Sequence, residues 1–108
     1  MEKPYNLEDR TYLFSRNCRD FVKSTPKSIV NIEYLKQLTR FSGSVAVNYI
    51  EATERLSKKD FVLRIKICRK EAKESILWLK LLDSAENLIN EATELMKIFG
   101  SIVTKSTE

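Results

Sequence analysis

Residues 41–82 read FSGSVAVNYIEATERLSKKDFVLRIKICRKEAKESILWLKLL. Two long apolar-periodic runs are joined there by Ser57-Lys58-Lys59-Asp60, in which a serine hydroxyl and an acid three residues later can each cap the other's exposed backbone N–H at a helix start. In the second run Phe61, Ile65, Cys68, Ala72, Ser75, Leu79 and Leu82 alternate steps of four and three residues, the spacing that keeps side chains on one stripe of an α-helix. The stretch is therefore a predicted helical hairpin, and its buried stripe requires further helices to cover it.

Working outward, Leu7, Thr11, Phe14, Cys18, Phe21 and Thr25 repeat the same spacing and predict a first helix over residues 7–24, with Glu8 and Asp9 at its positive N-terminal end. Residues 1–6 read as a loose lead-in. Thr25-Pro26-Lys27 stops the helix, because the residue before proline is pushed out of the helical region. A second helix is predicted over residues 31–56, with Asn31 as N-cap and Leu35, Leu38, Val45, Ala46, Tyr49, Ile50, Ala52 and Leu56 facing inward. Its central Ser42-Gly43-Ser44 places glycine inside a helix, and the expectation is a neighbouring helix passing so closely that a side chain would clash. With no Gly-rich run and no GK[ST] following, a phosphate-cradling loop is disfavoured. The third helix is predicted over 57–83. The fourth, over 85–104, carries Leu88, Ala92, Leu95, Phe99 and Ile102 on one stripe, with residues 101–108 expected to fray behind Gly100. The reading is an all-α, antiparallel up-down-up-down four-helix bundle forming a single domain over residues 1–108.

Composition agrees and narrows the function. The 108 residues include only two glycines and two prolines, as a mostly helical chain requires. There is no histidine, which removes the commonest general base and the commonest metal ligand. Glu51, Glu54, Glu71 and Glu74 do not rebuild the Glu-x-x-His pairs of di-iron bundles. Asn48, Tyr49 and Glu51 read as a polar network at a helix or subunit junction. Cys18 and Cys68 lie on apolar stripes without a CxxC partner and read as small buried hydrophobes. No catalytic residue, metal site or cofactor is expected, and the chain is not expected to be an enzyme. The N-terminus has no apolar leader and no run approaches the roughly 18 apolar residues of a membrane span, so the expected location is the cytoplasm, with no membrane partner.

The third helix has three sides. Beside its core stripe lie Lys58, Lys59, Lys66, Arg69, Lys70, Lys73 and Lys80, with no acid among them. On the other flank lie Leu63, Ile67, Trp78 and Leu81, mixed with Arg64, Glu71 and Glu74. A helix packed only within one protomer needs one apolar face, so this second apolar flank is a candidate oligomer interface. Residues 57–83 hold eight positive and four negative side chains, an excess equal to the chain's whole net charge of +4. The cationic flank is the candidate nucleic-acid contact. Without an aromatic platform or recognition helix, it should touch phosphates and ignore base sequence.

SGSVAVNYIEA, followed by LSKKDFVLRIKICRKEAKES and WLKLL, resembles the bacterial four-helix-bundle family named for proteins encoded in intervening sequences of 23S ribosomal RNA genes. The resemblance is dense from residue 31 to 82 and looser over the first helix. It implies a ring-shaped homopentamer. A related branch, the accessory variability determinants, is similar in fold and partners a reverse transcriptase through a basic surface. The family offers no catalytic residues to carry over. Together these observations predict a small homo-oligomer that binds RNA or DNA backbone through its third helix, as accessory to another nucleic-acid protein. The alternative is a protein-protein assembly scaffold with no nucleic-acid ligand.

Overall fold

The structure, a computed structural model, describes residues 6–84 and 86–108; most of the predicted lead-in, and residue 85 at the predicted start of the fourth helix, lie outside the described residues. Four helices follow one another: α1 Leu7–Ser24, α2 Ile29–Thr53, α3 Lys58–Leu81 and α4 Glu86–Thr107. α1 packs on α2, α2 on α3 and α3 on α4, while α1 meets α4 over a short stretch only. The molecule measures 45 × 30 × 20 Å, the length of its longest helix with its connections.

Local chemistry sets each boundary. Asn6 is the N-cap of α1, its Oδ1 accepting from Asp9 N at 2.7 Å and its Nδ2 donating to Asp9 Oδ2 at 3.0 Å, so the lead-in does not extend to residue 6. The cap of α2 stands three residues before the predicted Asn31. Ser28 supplies the cap, accepting from the Asn31 backbone N–H at 3.0 Å, and the Asn31 side chain instead reaches back to the Pro26 carbonyl. α2 also ends early, at Thr53, since Ser57 caps α3 from an extended backbone and so cannot continue the second helix. Leu56, predicted to face inward, is consequently 96% exposed. Ile50, also predicted inward, is exposed as well. Ser57 Oγ accepts from Asp60 N as predicted, but the Asp60 carboxylate takes the N–H of Leu56, one residue earlier than the reciprocal cap would have it. With Leu56 in water, the Phe61 ring is covered by the Arg55 guanidinium at 4.9 Å.

α3 ends in two bonds that close its last turn, Ser84 N to Leu79 O and Asp83 N to Lys80 O, with Asp83 left-handed at φ 53°. That geometry is usually given to glycine. α4 runs to Thr107 rather than fraying from residue 101; Ile102 and Val103 pack against the core and hold its last turns.

The core stripe of α3 is buried as its spacing implies, from Ile65 through Cys68, Ala72 and Ser75 to Leu79. It meets Leu35, Leu38, Val45 and Ala52 of α2 and Leu88, Ala92, Leu95 and Phe99 of α4, with Phe14 and Cys18 of α1 completing the interior. Tyr49 reaches across the bundle to within 6.4 Å of Phe99. The buried hydroxyls are satisfied locally: Thr11 and Ser75 donate to the carbonyls of Leu7 and Glu71 one turn back. Ser15 donates to the Ser42 carbonyl at 2.7 Å, tying α1 to α2.

Gly43 corrects a prediction. A Cβ added there meets nothing of the chain within 4 Å, so no helix of its own protomer crosses at that point. Its helix-propensity cost, about 1 kcal/mol against alanine, is not offset within the protomer.

Candidate functional site

All seven predicted cations of α3 (Lys58, Lys59, Lys66, Arg69, Lys70, Lys73 and Lys80) are exposed. None is within salt-bridge distance of a carboxylate among the described residues; the ion pairs found there involve Arg10, Arg19, Lys36 and Arg64. The reason is geometric. Glu71 and Glu74 lie on the α2 side of α3, Glu71 beside Ser44, and Asp60 is taken up by Arg64 and the Leu56 N–H, whereas the lysines turn towards α4 and solvent.

Lys66, Arg69, Lys70 and Lys73 line one open depression of about 410 Å³ against Val103 of α4. Arg69 continues into a second, of about 530 Å³, whose other wall is α4 itself with Lys97, Gly100, Thr104 and Lys105. Glu108 lies at the edge of this second depression as its one acid. Gly100 shapes the junction: the Arg69 guanidinium lies over it, and an added Cβ would touch that side chain at 3.6 Å. Lys58 and Lys59 belong with Lys66 to a third hollow, beside Leu63, Thr107 and one acid, Asp60. Lys80 lines none of the three, roughly 10 Å along the helix from Lys73 at 1.5 Å per residue. These are open grooves, suited to a chain lying across the surface and unlike the enclosed, largely apolar pockets that hold small ligands.

Lys97 and Lys105 were not part of the sequence reading. Residues 84–108 are net negative, and a segment sum hides two cations that the α3–α4 packing turns towards Arg69. A signal was present: the two are eight residues apart and share a helical face with Ser101.

The predicted interface residues divide. Leu63 and Leu81 are exposed. Ile67 is half-buried. Trp78 packs within its own chain, its ring 5.8 Å from Tyr34 and 6.5 Å from Phe41 of α2. Between Trp78 and the start of α3 the α2–α3 seam is polar. Asn48 donates to the Ser44 carbonyl and hydroxyl, and Arg64 donates to Asn48 Oδ1 at 3.3 Å. Burial, and then the hydrogen bond it shares with Glu74, raise the Glu71 carboxyl above its ordinary range, against the pull of Lys70 and Ser44.

Cys18 and Cys68 are fully buried, and burial pushes both thiols up to about 12. They are inert where thiolate is required. Among the described residues no cluster of metal-binding side chains occurs, and no helix is long and apolar enough to cross a membrane.

A family model described as 23S rRNA-intervening sequence protein matches residues 6–104. The crystal structure of a protein of unknown function from the S23 ribosomal protein family of Bacteroides thetaiotaomicron is similar in fold, with a TM-score of 0.80 and 26% sequence identity, over 91% of this chain and 98% of that one. No curated protein matches this chain.

Proposed function

The chain belongs to the 23S rRNA-intervening sequence protein family, and from that premise and the charge on α3 we propose that it is a small, non-enzymatic homo-oligomer that holds RNA or DNA by its phosphates. The carrying observation is the set of seven exposed α3 cations, none within salt-bridge distance of an acid of its own protomer among the described residues. Exposed cations with no carboxylate beside them can replace the counterions condensed on a nucleic acid, and the release of those counterions favours binding at this side of the helix. Lys97 and Lys105 extend the surface onto α4, so phosphates can be met from both walls of a groove. Assembly into a ring would repeat the groove in every subunit and multiply the effective concentration of sites along one strand. The exposed Leu63 and Leu81 support assembly, and an accessory role in the cytoplasm beside another nucleic-acid protein fits a surface that reads phosphates without reading bases.

The test is a titration of the sized native particle with mixed-sequence single-stranded RNA at several salt concentrations. The logarithm of affinity should fall linearly with the logarithm of salt, by about 0.7 for each phosphate neutralised. Lys66→Glu with Lys73→Glu should keep helicity and particle size while flattening that slope by about 1.4. Equal retention by the double variant would reject the surface. A protein partner whose capture survives nuclease treatment would turn the reading towards a protein scaffold.

A further inference from the structure

Among the cations of α3, Arg69 alone lines both depressions that meet at the α3–α4 junction, and its side chain lies over Gly100 of α4. A Cβ added at Gly100 would stand 3.6 Å from Arg69 Nε, 3.8 Å from Cζ and 3.9 Å from Cδ. Three successive atoms at nearly one distance place the planar end of Arg69 broadside over the helix, one face on the glycine and the other on the solvent side of an exposed residue. A side chain longer than alanine at position 100 would occupy the space in which the guanidinium rests. No carboxylate is within salt-bridge distance of Arg69 among the described residues, Glu108 at the edge of the depression included, so its plane is not committed to a fork.

A guanidinium plane is a surface on which an unpaired base can stack, as it would on an aromatic ring. Arg is more weakly hydrated than Lys, so it sheds water for a stacked base at less cost. Such a contact tolerates any base, because every base has a π face, and it is compatible with a surface that ignores base sequence.

The surroundings supply the rest of a single-strand site. Lys66 and Lys73 stand along α3 roughly 10 Å apart at 1.5 Å per residue, and Lys97 and Lys105 belong to the facing wall. Met96 and Val103, both half-buried, lie between them. Packed helices stand about 8–10 Å apart, axis to axis, and a groove of that width admits one strand. A duplex, whose major groove alone is about 12 Å wide, rests on the rims and keeps its base faces stacked out of reach.

We propose that the α3–α4 groove takes a single strand, RNA or DNA, whose phosphates meet the cations of both helices while one unpaired base lies flat on the free face of the Arg69 guanidinium. This rests on the phosphate-binding half of the function proposed above and names the form of nucleic acid that the surface takes.

Three probes titrated against the sized native particle at several salt concentrations test it: an unstructured oligouridylate, the matching oligodeoxythymidylate, and a blunt DNA duplex with the same number of phosphates. A surface that met phosphates alone would favour the duplex, since each contact there releases about 0.9 of a counterion against about 0.7 on a single strand. The single strands should instead bind more tightly. Arg69→Lys keeps the charge and loses the plane; it should weaken the single strands about tenfold, the share of one stacked base, and leave the duplex affinity and every salt slope unchanged. Gly100→Leu puts its side chain where the guanidinium rests and should lower single-strand affinity in the same way, with helicity recorded for both variants. A tenfold loss confined to one of the two sugars supports the platform and identifies the strand as RNA or DNA. A duplex bound as tightly as the single strands, or single-strand affinity indifferent to Arg69→Lys, overturns the platform and leaves phosphate binding standing. Failure of all three probes to bind at low salt overturns the phosphate reading itself, and the platform with it.

Discussion

Replacing Arg10 should loosen the bundle more than its place near the N-terminus suggests. The Arg10 guanidinium binds both oxygens of Glu91, Nη2 to Oε1 at 2.7 Å and Nε to Oε2 at 3.2 Å, and Nη2 also reaches Glu94 at 3.4 Å. This fork joins α1 to α4 across their one short line of contact. Exposed pairs of this kind contribute about 0–1 kcal/mol, and removing one member of a fully buried pair costs about 3–5 kcal/mol. The side chains here are 11% and 19% exposed, so the loss falls towards the upper part of that interval, about 2–3 kcal/mol for Arg10→Ala, including the stem's packing. Arg10→Lys keeps the charge and loses the fork, and should cost about 1 kcal/mol. A midpoint fall of about 10 °C for Arg10→Ala follows for a domain of this size. Urea unfolding of the unmodified chain, Arg10→Ala, Glu91→Gln and the double variant, at a concentration where all are dissociated, isolates the pair. A coupling energy below about 0.3 kcal/mol, the level at which distant sites are merely additive, would refute the reasoning and reduce the fork to a surface ion pair.

Asp83→Gly should stabilise the chain by about 0.5–1 kcal/mol, since Asp83 sits at φ 53° where glycine meets no steric cost; an unchanged or lowered urea midpoint would contradict that. Cys18 and Cys68, with thiols pushed up to about 12, should resist a thiol-specific reagent at about pH 8 until denaturant is added, and reaction of either in the folded protein at the rate of a free thiol would count against the packing. Glu71 binds its proton more tightly folded than unfolded, so its contribution to stability is present at acid pH and is lost as pH rises from its unfolded value, near 4.5, through its higher folded one. Glu71→Gln should therefore flatten the fall in stability of the dissociated chain as pH rises above about 4.5, and an unaltered pH profile would show that the carboxyl is not strained by its surroundings.

The parts of this fold that were legible in the sequence are those decided by neighbours along the chain. The α3 stripe and the Ser57 cap are local, and both stand in the structure. The start of α2 was misplaced because Ser28 and Asn31 are equally competent caps, and only the Pro26 carbonyl, which occupies the Asn31 side chain, decides between them. Leu56 continued a periodicity that the backbone had already abandoned. Trp78 read as an open anchor because its partners, Tyr34 and Phe41, lie more than thirty residues earlier and meet it only through tertiary packing. Gly43 read as a close approach because glycine inside a helix invites one, but no helix of its own protomer crosses there. Of the candidate site, the α3 cations were visible as a helical face, while Lys97 and Lys105 were concealed by the acids that surround them in the chain and leave them in space.

The Arg10–Glu91 fork spans a separation of 81 residues, whereas four residues connect each helix to the next. Closing so long a loop costs more chain entropy than joining neighbours, so the α1–α4 contact is the one expected to form after α1 has packed on α2 and to open before that packing does. With the fork open, α1 is held by α2 alone, and a protease cutting within residues 25–28 would report on that opening.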